Sequence, residues 1–219
     1  FRGTNLGANA VASPTANSSN IVFTAAPSLT GGGGSAGTAT VSIVSGAIGD
    51  PNAGGTGTGF VTYDSPGPGN GLRPLVLAEY QTPASNAEAL TPNANVRLTA
   101  NRTANDNVSI NSLLFTGGSV YDFDSTAGAN TLTVASGNIL TVGASSIQPT
   151  LGTGTLAFGA TGAKIFAAGN LTLGSNLAVT GSAGLTKSGA GILLEDNSVA
   201  LTGGLTVNSG TVSAGVDSA

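Results

Sequence analysis

The chain has 219 residues, of which 35 are Gly, 7% are charged and 40% are hydrophobic, and its formal net charge is −4. Wholesale disorder needs low hydrophobicity with high charge and is excluded, as is collagen, because the glycines follow no three-residue period. No apolar run approaches ~18 residues, so no helix is expected to span a membrane.

The chain contains no His, Cys or Trp. That removes an imidazole base, a thiol nucleophile, a disulfide framework and His- or Cys-ligated zinc. The basic residues Arg2, Arg73, Arg97, Arg102, Lys164 and Lys187 form no cluster beyond the Arg97/Arg102 pair. Nucleic acid and anionic membrane both demand such a cluster, so neither is an expected partner. Phe1 is not an initiator Met, and no charged-then-apolar leader opens the chain. A processed product or a piece of a longer protein is expected.

In chain order, the first strand is expected at Ile21–Thr24, followed by a flexible loop from Gly31 to Gly37. Further strands are expected at Thr40–Val44, Phe60–Tyr63 and Leu75–Glu79, with loops from Gly49 to Gly59 and a turn cluster from Pro66 to Gly71. Ala84–Leu90, closed by Pro92, reads as a turn or a single helical turn. Residues 1–107 are therefore an irregular β-rich part with Gly/Pro-rich loops, expected to share one architecture with residues 108–219.

From Val108 to Ala219 short alternating runs recur, each bounded by Gly, Asn or Ser. Several share one phrase: Asn130-Thr-Leu-Thr-Val134, Ile139-Leu-Thr-Val-Gly143, Asn170-Leu-Thr-Leu-Gly174 and Gly204-Leu-Thr-Val-Asn208. Degenerate repetition of units too short to bury a core alone is the mark of a solenoid. Parallel coil-on-coil stacking satisfies each backbone group through the neighbouring coils, while Gly and Asn make the corners. A sandwich would show longer strands and more core aromatics than the 5% here. The expected fold is all-β, a parallel β-helix of roughly ten coils at about 20–25 residues each.

Gly184-Leu-Thr-Lys-Ser-Gly-Ala-Gly-Ile-Leu-Leu194, followed by Gly203-Gly-Leu-Thr-Val-Asn-Ser-Gly-Thr-Val-Ser-Ala-Gly215, resembles the autotransporter-associated β-strand repeat. The likeness spans 184–215 and lies in the Gly spacing and the TGG-xTVNxG phrase. Ile192 replaces the usual Thr, and Glu195 to Ala200 departs from the family's SGANTY. The resemblance implies a right-handed β-helix in a secreted or surface-exposed bacterial protein, associated with passenger folding and export rather than catalysis.

Few residues could carry chemistry. Gly33-Gly-Ser35-Ala-Gly37 fits the nucleophile-elbow spacing but has no His to activate Ser35. Gly184-Leu-Thr-Lys187-Ser188 has part of a phosphate-loop pattern without the Gly before the Lys, and reads as repeat. Asp122 and Asp124 place oxygen ligands at a calcium-like spacing, but Thr133 stands where the bidentate carboxylate belongs. Asp50 is a second weak calcium candidate. Polysaccharide cleavage on a β-helix face would have to draw on Asp122, Asp124, Arg97, Arg102 and Glu79. Tyr63, Tyr80, Tyr121, Phe60 and Phe123 could stack on sugars, although core and capping positions suit them better.

The balance favours a non-catalytic structural element, a rigid β-helical stalk or fibre subunit at the outer surface of a bacterium, with no catalytic, cofactor or metal residues assigned. A glycan-binding module using the N-terminal loops is the alternative, and a polysaccharide-degrading enzyme a distant third. No charged or proline cap is evident at either end of the coil stack. End-to-end self-association, or continuation into further coils, is therefore expected.

Overall fold

The computed structural model describes residues 1–65, 69–104, 107–124, 130–196 and 198–215, the side chains of Asp124 and Ser198 aside. The chain divides into two compact units, Phe1–Tyr80 and Gln81–Ala219.

The first unit holds β1 (Leu29–Thr30), β2 (Ile43–Val44), β3 (Ile48–Gly49), β4 (Gly59–Asp64) and β5 (Gly71–Pro74). Its ladders run antiparallel, β1 with β2 and β4 with both β3 and β5. The β4–β5 pair flanks the turn expected at Pro66–Gly71, whose residues 66–68 lie outside the described ones. Leu72, Val61 and Tyr63 form a small core with Ala47. Ile21–Thr24 contributes only an isolated bridge at Ile21. Leu75–Glu79, expected as a strand, ends instead in a single 3-10 turn at Leu77–Glu79. The Glu79 carboxylate accepts the Val76 N–H at 3.0 Å and curls the chain back on itself.

The second unit is a parallel β-solenoid. Its strands are β6 (Asn95–Leu98), β7 (Arg102–Ala104), β8 (Val108–Phe115), β9 (Val120–Asp124), β10 (Asn130–Thr141), β11 (Ser145–Leu151) and β12 (Gly154–Phe158). They continue as β13 (Ala163–Ala167), β14 (Leu171–Leu173), β15 (Leu177–Gly181), β16 (Leu185–Ser188), β17 (Ile192–Glu195), β18 (Ser198–Leu201), β19 (Leu205–Val207) and β20 (Thr211–Ala214). The segment Ala84–Leu90 is a turn-rich loop.

The pairing defines three faces. Face A runs from the start of β8 through the start of β10 to β12, β15 and β18. Face B runs β6, the ends of β8 and β10, β13, β16 and β19. Face C runs β7, β9, β11, β14, β17 and β20. The face A ladder Val108, Leu132, Leu156, Val179, Val199 counts the turns directly, and there are about four where coils of 20–25 residues over the whole chain suggested roughly ten. Ten coils would need all 219 residues, whereas the strand ladders within residues 1–80 run antiparallel and add no coil to the stack.

Alternation explains why a chain so poor in charge folds this way. In β12 and β13 every second side chain is buried and the intervening ones are half exposed. Leu, Val and Ile thus stack inward, coil on coil, while Thr, Ser and Ala form the outer rungs. Polar groups enclosed near one corner are joined to each other: Asn111 Nδ2 and Ser112 Oγ donate to Asn95 Oδ1 at 2.8 and 2.9 Å, and Ser136 Oγ donates to the Asn111 carbonyl.

The corners explain the glycine content. Between faces B and C, Gly143, Gly169 and Gly191 lie one above another, so that a Cβ on Gly191 would stand 2.5 Å from the Gly169 carbonyl oxygen. Between faces A and B, Gly137, Gly162, Gly184 and Gly204 do the same. Coils ~4.8 Å apart leave no room there for a side chain pointing along the stack.

Candidate functional site

The residues singled out by sequence are scattered rather than gathered. Arg102 points inward, opposite Tyr121, and is 2% exposed. Asp122, opposite Thr103, lies at the next position and so on the other side of the sheet. Asp122 is bound within the fold, accepting Thr150 N–H at 2.7 Å and Thr150 Oγ1–H at 2.6 Å. The Asp124 side chain and residues 125–129 lie outside the described ones. Arg97 sits on face B, and Glu79 belongs to the first unit.

The remaining candidates have structural duties. Asp50 is 2% exposed and accepts the N–H groups of Asn52 and Gly57, which closes its loop as a turn. Ser35 is exposed, and its carbonyl receives Thr38 N–H and Oγ1–H. Phe60, Tyr63, Tyr80, Tyr121 and Phe123 are all buried, so they offer no stacking platform to a sugar. Tyr121 and Phe123 pack edge to face inside the solenoid at 5.0 Å.

Lys187 of the Gly-Leu-Thr-Lys-Ser phrase faces the solenoid interior. It occupies a rung between Ile165 and Val207 and is fully buried. Its Nζ donates to the carbonyls of Ser188 (3.2 Å), Gly189 (2.6 Å) and Ser209 (3.0 Å). A cage of carbonyl oxygens repels phosphate, so the phrase is not an anion loop. Burial pulls the Lys187 ammonium below its ordinary range. Glu195, on the inner side of the same coil, is pushed up by burial, and its Oε1 has no partner among the described residues.

Sequence reasoning missed the ion cluster of the first unit. Arg73 Nη1 and Nη2 meet Glu79 in a two-pronged pair at 2.7 Å each, and Arg73 Nε meets Asp64 at 2.6 Å. Glu79 is fully buried and also accepts the N–H groups of Gly37 and Val76. Burial alone would raise its pKa, but Arg73 and the two backbone donors outweigh burial and hold it below 4.5. Arg73 is pushed up, first by its bond to Glu79. The cluster forms one wall of an open cleft of about 630 Å³ whose other walls include Leu6, Pro51, Asn70 and Leu75. With every Arg73 N–H committed to Glu79, Asp64 or the Pro74 carbonyl, the cluster is a clamp holding β4, β5 and the Gly37 loop together. The available signal was its sequence position: in a chain with 7% charge, Asp64 and Arg73 flank a single turn.

The two ends of the solenoid differ. At the start, residues 81–94 seal all three faces. Gln81 bonds the outer edge of β6, donating to the Asn95 carbonyl and accepting the Arg97 N–H, while Ala94 and Asn93 cover the first part of β8. Arg102 donates to the Ser85 and Glu88 carbonyls while Asn86 Oδ1 accepts Thr103 N–H, which closes β7. This corrects the expectation that neither end has a charged or proline-bearing cap, since Arg102, Glu88, Pro83 and Pro92 all belong to this one. The cap was illegible because its charged residue lies on a strand and its acceptors on a loop.

Among the described residues β18, β19 and β20 are the last strands of their sheets. Their inward side chains reach solvent, with Val199 36%, Leu205 56% and Val207 45% exposed. Among the described residues no group of three or more acidic side chains is placed to hold a metal, and no helix is long and apolar enough to cross a membrane.

Neither a scan against protein-family models nor searches of curated proteins and of solved structures returns a match for this chain.

Proposed function

We propose that the chain is a non-catalytic structural element of an exported bacterial surface protein, a rigid β-solenoid segment of a stalk or fibre, wound right-handed as the resemblance to the autotransporter-associated repeat implies. The observation that carries this reading is the parallel solenoid itself, three ladders stacked coil on coil for about four turns over residues whose candidate chemical groups are spent on the fold. The scattering of Asp122, Arg97, Arg102 and Glu79, and the commitment of the Asp122, Arg102 and Glu79 side chains to the fold, favour a scaffold over an enzyme. The burial of the aromatic side chains weighs against a glycan platform built from them.

Electron microscopy of native material, with labelling by an antibody to residues 81–215 on intact cells, tests this. Labelled rods or fibres at the cell exterior are expected. Label confined to the cell interior, or a turnover activity lost with Asp122→Asn, rejects it.

A further inference from the structure

The geometry points to a ligand site on the first unit: its cleft takes a primary aliphatic amine, with the ammonium at Asp64 and the carbon chain along the apolar wall. This goes beyond the scaffold reading and does not depend on it.

The cleft encloses about 630 Å³, a size that suits a small organic molecule. One wall is built from buried charge. The Arg73 and Glu79 side chains are 9% and 0% exposed, and Asp64 beside them is 26% exposed. Two carboxylates against one guanidinium leave that wall with a net charge of −1, in a chain where only 7% of residues are charged. The rest of the lining is uncharged, and Leu6, Pro51, Leu75 and Val76 make it largely apolar. Val76 is 54% exposed, so apolar surface lies uncovered at the cleft. A concave apolar surface with a few convergent polar groups is the usual make-up of a small-ligand site.

Hydrogen-bond accounting sets the sign of the ligand. Arg73 spends Nε on Asp64, Nη1 on Glu79 and the Pro74 carbonyl, and Nη2 on Glu79 and Asp64. The Gly37 and Val76 N–H groups are spent on Glu79. The charged wall therefore has no cationic donor left for an anion. Acceptors do remain. Asp64 Oδ2 takes the 2.6 Å bond from Arg73 Nε, whereas Oδ1 receives only a 3.4 Å bond from Nη2. Asn70 Nδ2 donates to the Gly7 carbonyl, and Asn70 Oδ1 accepts no hydrogen bond among the described residues. An ammonium brings three N–H donors and no acceptor, which answers a carboxylate oxygen and an amide oxygen on a net-negative wall. The Arg73–Glu79 pair fixes Asp64 before any ligand arrives, which lowers the cost of binding. The apolar lining then favours an amine on an alkyl stem over a bare cation.

A lysine side chain of another protein and a free diamine both carry this chemistry. Isothermal titration calorimetry of the full chain at pH 7 and low salt, with cadaverine and with Nα-acetyl-lysine amide, tests the site and separates the two. Dissociation constants of roughly 0.1–5 mM are expected for one charge-assisted contact and a short stem. Pentanol and valerate, with a similar stem but no cation, should bind at least tenfold more weakly. Tighter binding of the lysine amide assigns the site to a protein partner, and tighter binding of cadaverine to a free amine. Asp64→Asn removes the net charge while keeping the Arg73–Glu79 pair, and should weaken amine binding at least fivefold. Val76→Lys changes an exposed side chain and sets a competing ammonium at the cleft, so it should abolish binding while the melting transition stays in place. No binding of either amine up to roughly 20 mM, pentanol or valerate binding as tightly as the amines, or an affinity unchanged in either folded variant would each overturn the inference.

Discussion

Replacing Arg73 by Leu is the sharpest probe of the first unit. The substitution leaves Glu79 fully buried with two backbone N–H donors and no cation, where it now has a two-pronged partner at 2.7 Å. Removing one member of a buried ion pair costs about 3–5 kcal/mol, because the remaining charge is stranded in a poorly solvating environment. For a unit of some 80 residues each kcal/mol is worth roughly 4–8 °C, so its melting transition should fall by at least ~12 °C. Circular dichroism with tyrosine emission follows it, since Tyr63 and Tyr80 lie in this unit and the chain has no Trp.

The pH dependence carries a second, signed expectation. In the native chain Glu79 is held below 4.5, so its contribution is present at neutral pH and is lost as pH falls through that lowered value. In Arg73→Leu the same carboxyl, now raised by burial, can shed its charge by taking up a proton. The deficit should therefore shrink between pH 7 and pH 4. Arg73→Leu combined with Glu79→Leu should be more stable than Arg73→Leu alone, since no buried charge remains. A loss under about 1 kcal/mol, or a deficit that widens toward acid, would refute the clamp reading.

Two further substitutions test the solenoid. Gly191→Ala sets a methyl 2.5–2.9 Å from the Gly169 and Ala167 backbone and should cost about 1–3 kcal/mol, whereas Gly117→Ala, with nothing within 4 Å, should change stability by under about 0.5 kcal/mol in urea titration. Glu195, raised by burial, stabilises the fold only when protonated, so stability falls as pH rises from 4.5 through its raised value. Glu195→Gln should thus be modestly more stable than the native chain at pH 7 and indistinguishable from it below pH 4, as thermal melts at the two pH values would show.

Local chemistry wrote part of this molecule plainly. Leu-Thr-Val phrases between Gly and Asn residues announce short strands with one face inward, and that alternation is what β10 to β16 display. The absence of His and Cys sets aside imidazole and thiol chemistry. Asp122 and Asp50, weak calcium candidates by spacing with no metal assigned to either, are spent on the fold, on Thr150 and on a turn.

What tertiary structure decided is everything that depends on which coil lies above which. A glycine's spacing along the chain does not reveal that Gly143, Gly169 and Gly191 form one column. Likewise Lys187 looks like a surface lysine until Ile165 and Val207 are seen to bracket it inside the core. The antiparallel ladders within residues 1–80, the clamp of Arg73 on Glu79 and the seal laid by residues 81–94 all join positions whose proximity the strand period leaves undetermined. Period-two patterning determines which side of a strand a residue faces; the stacking register determines what it meets there.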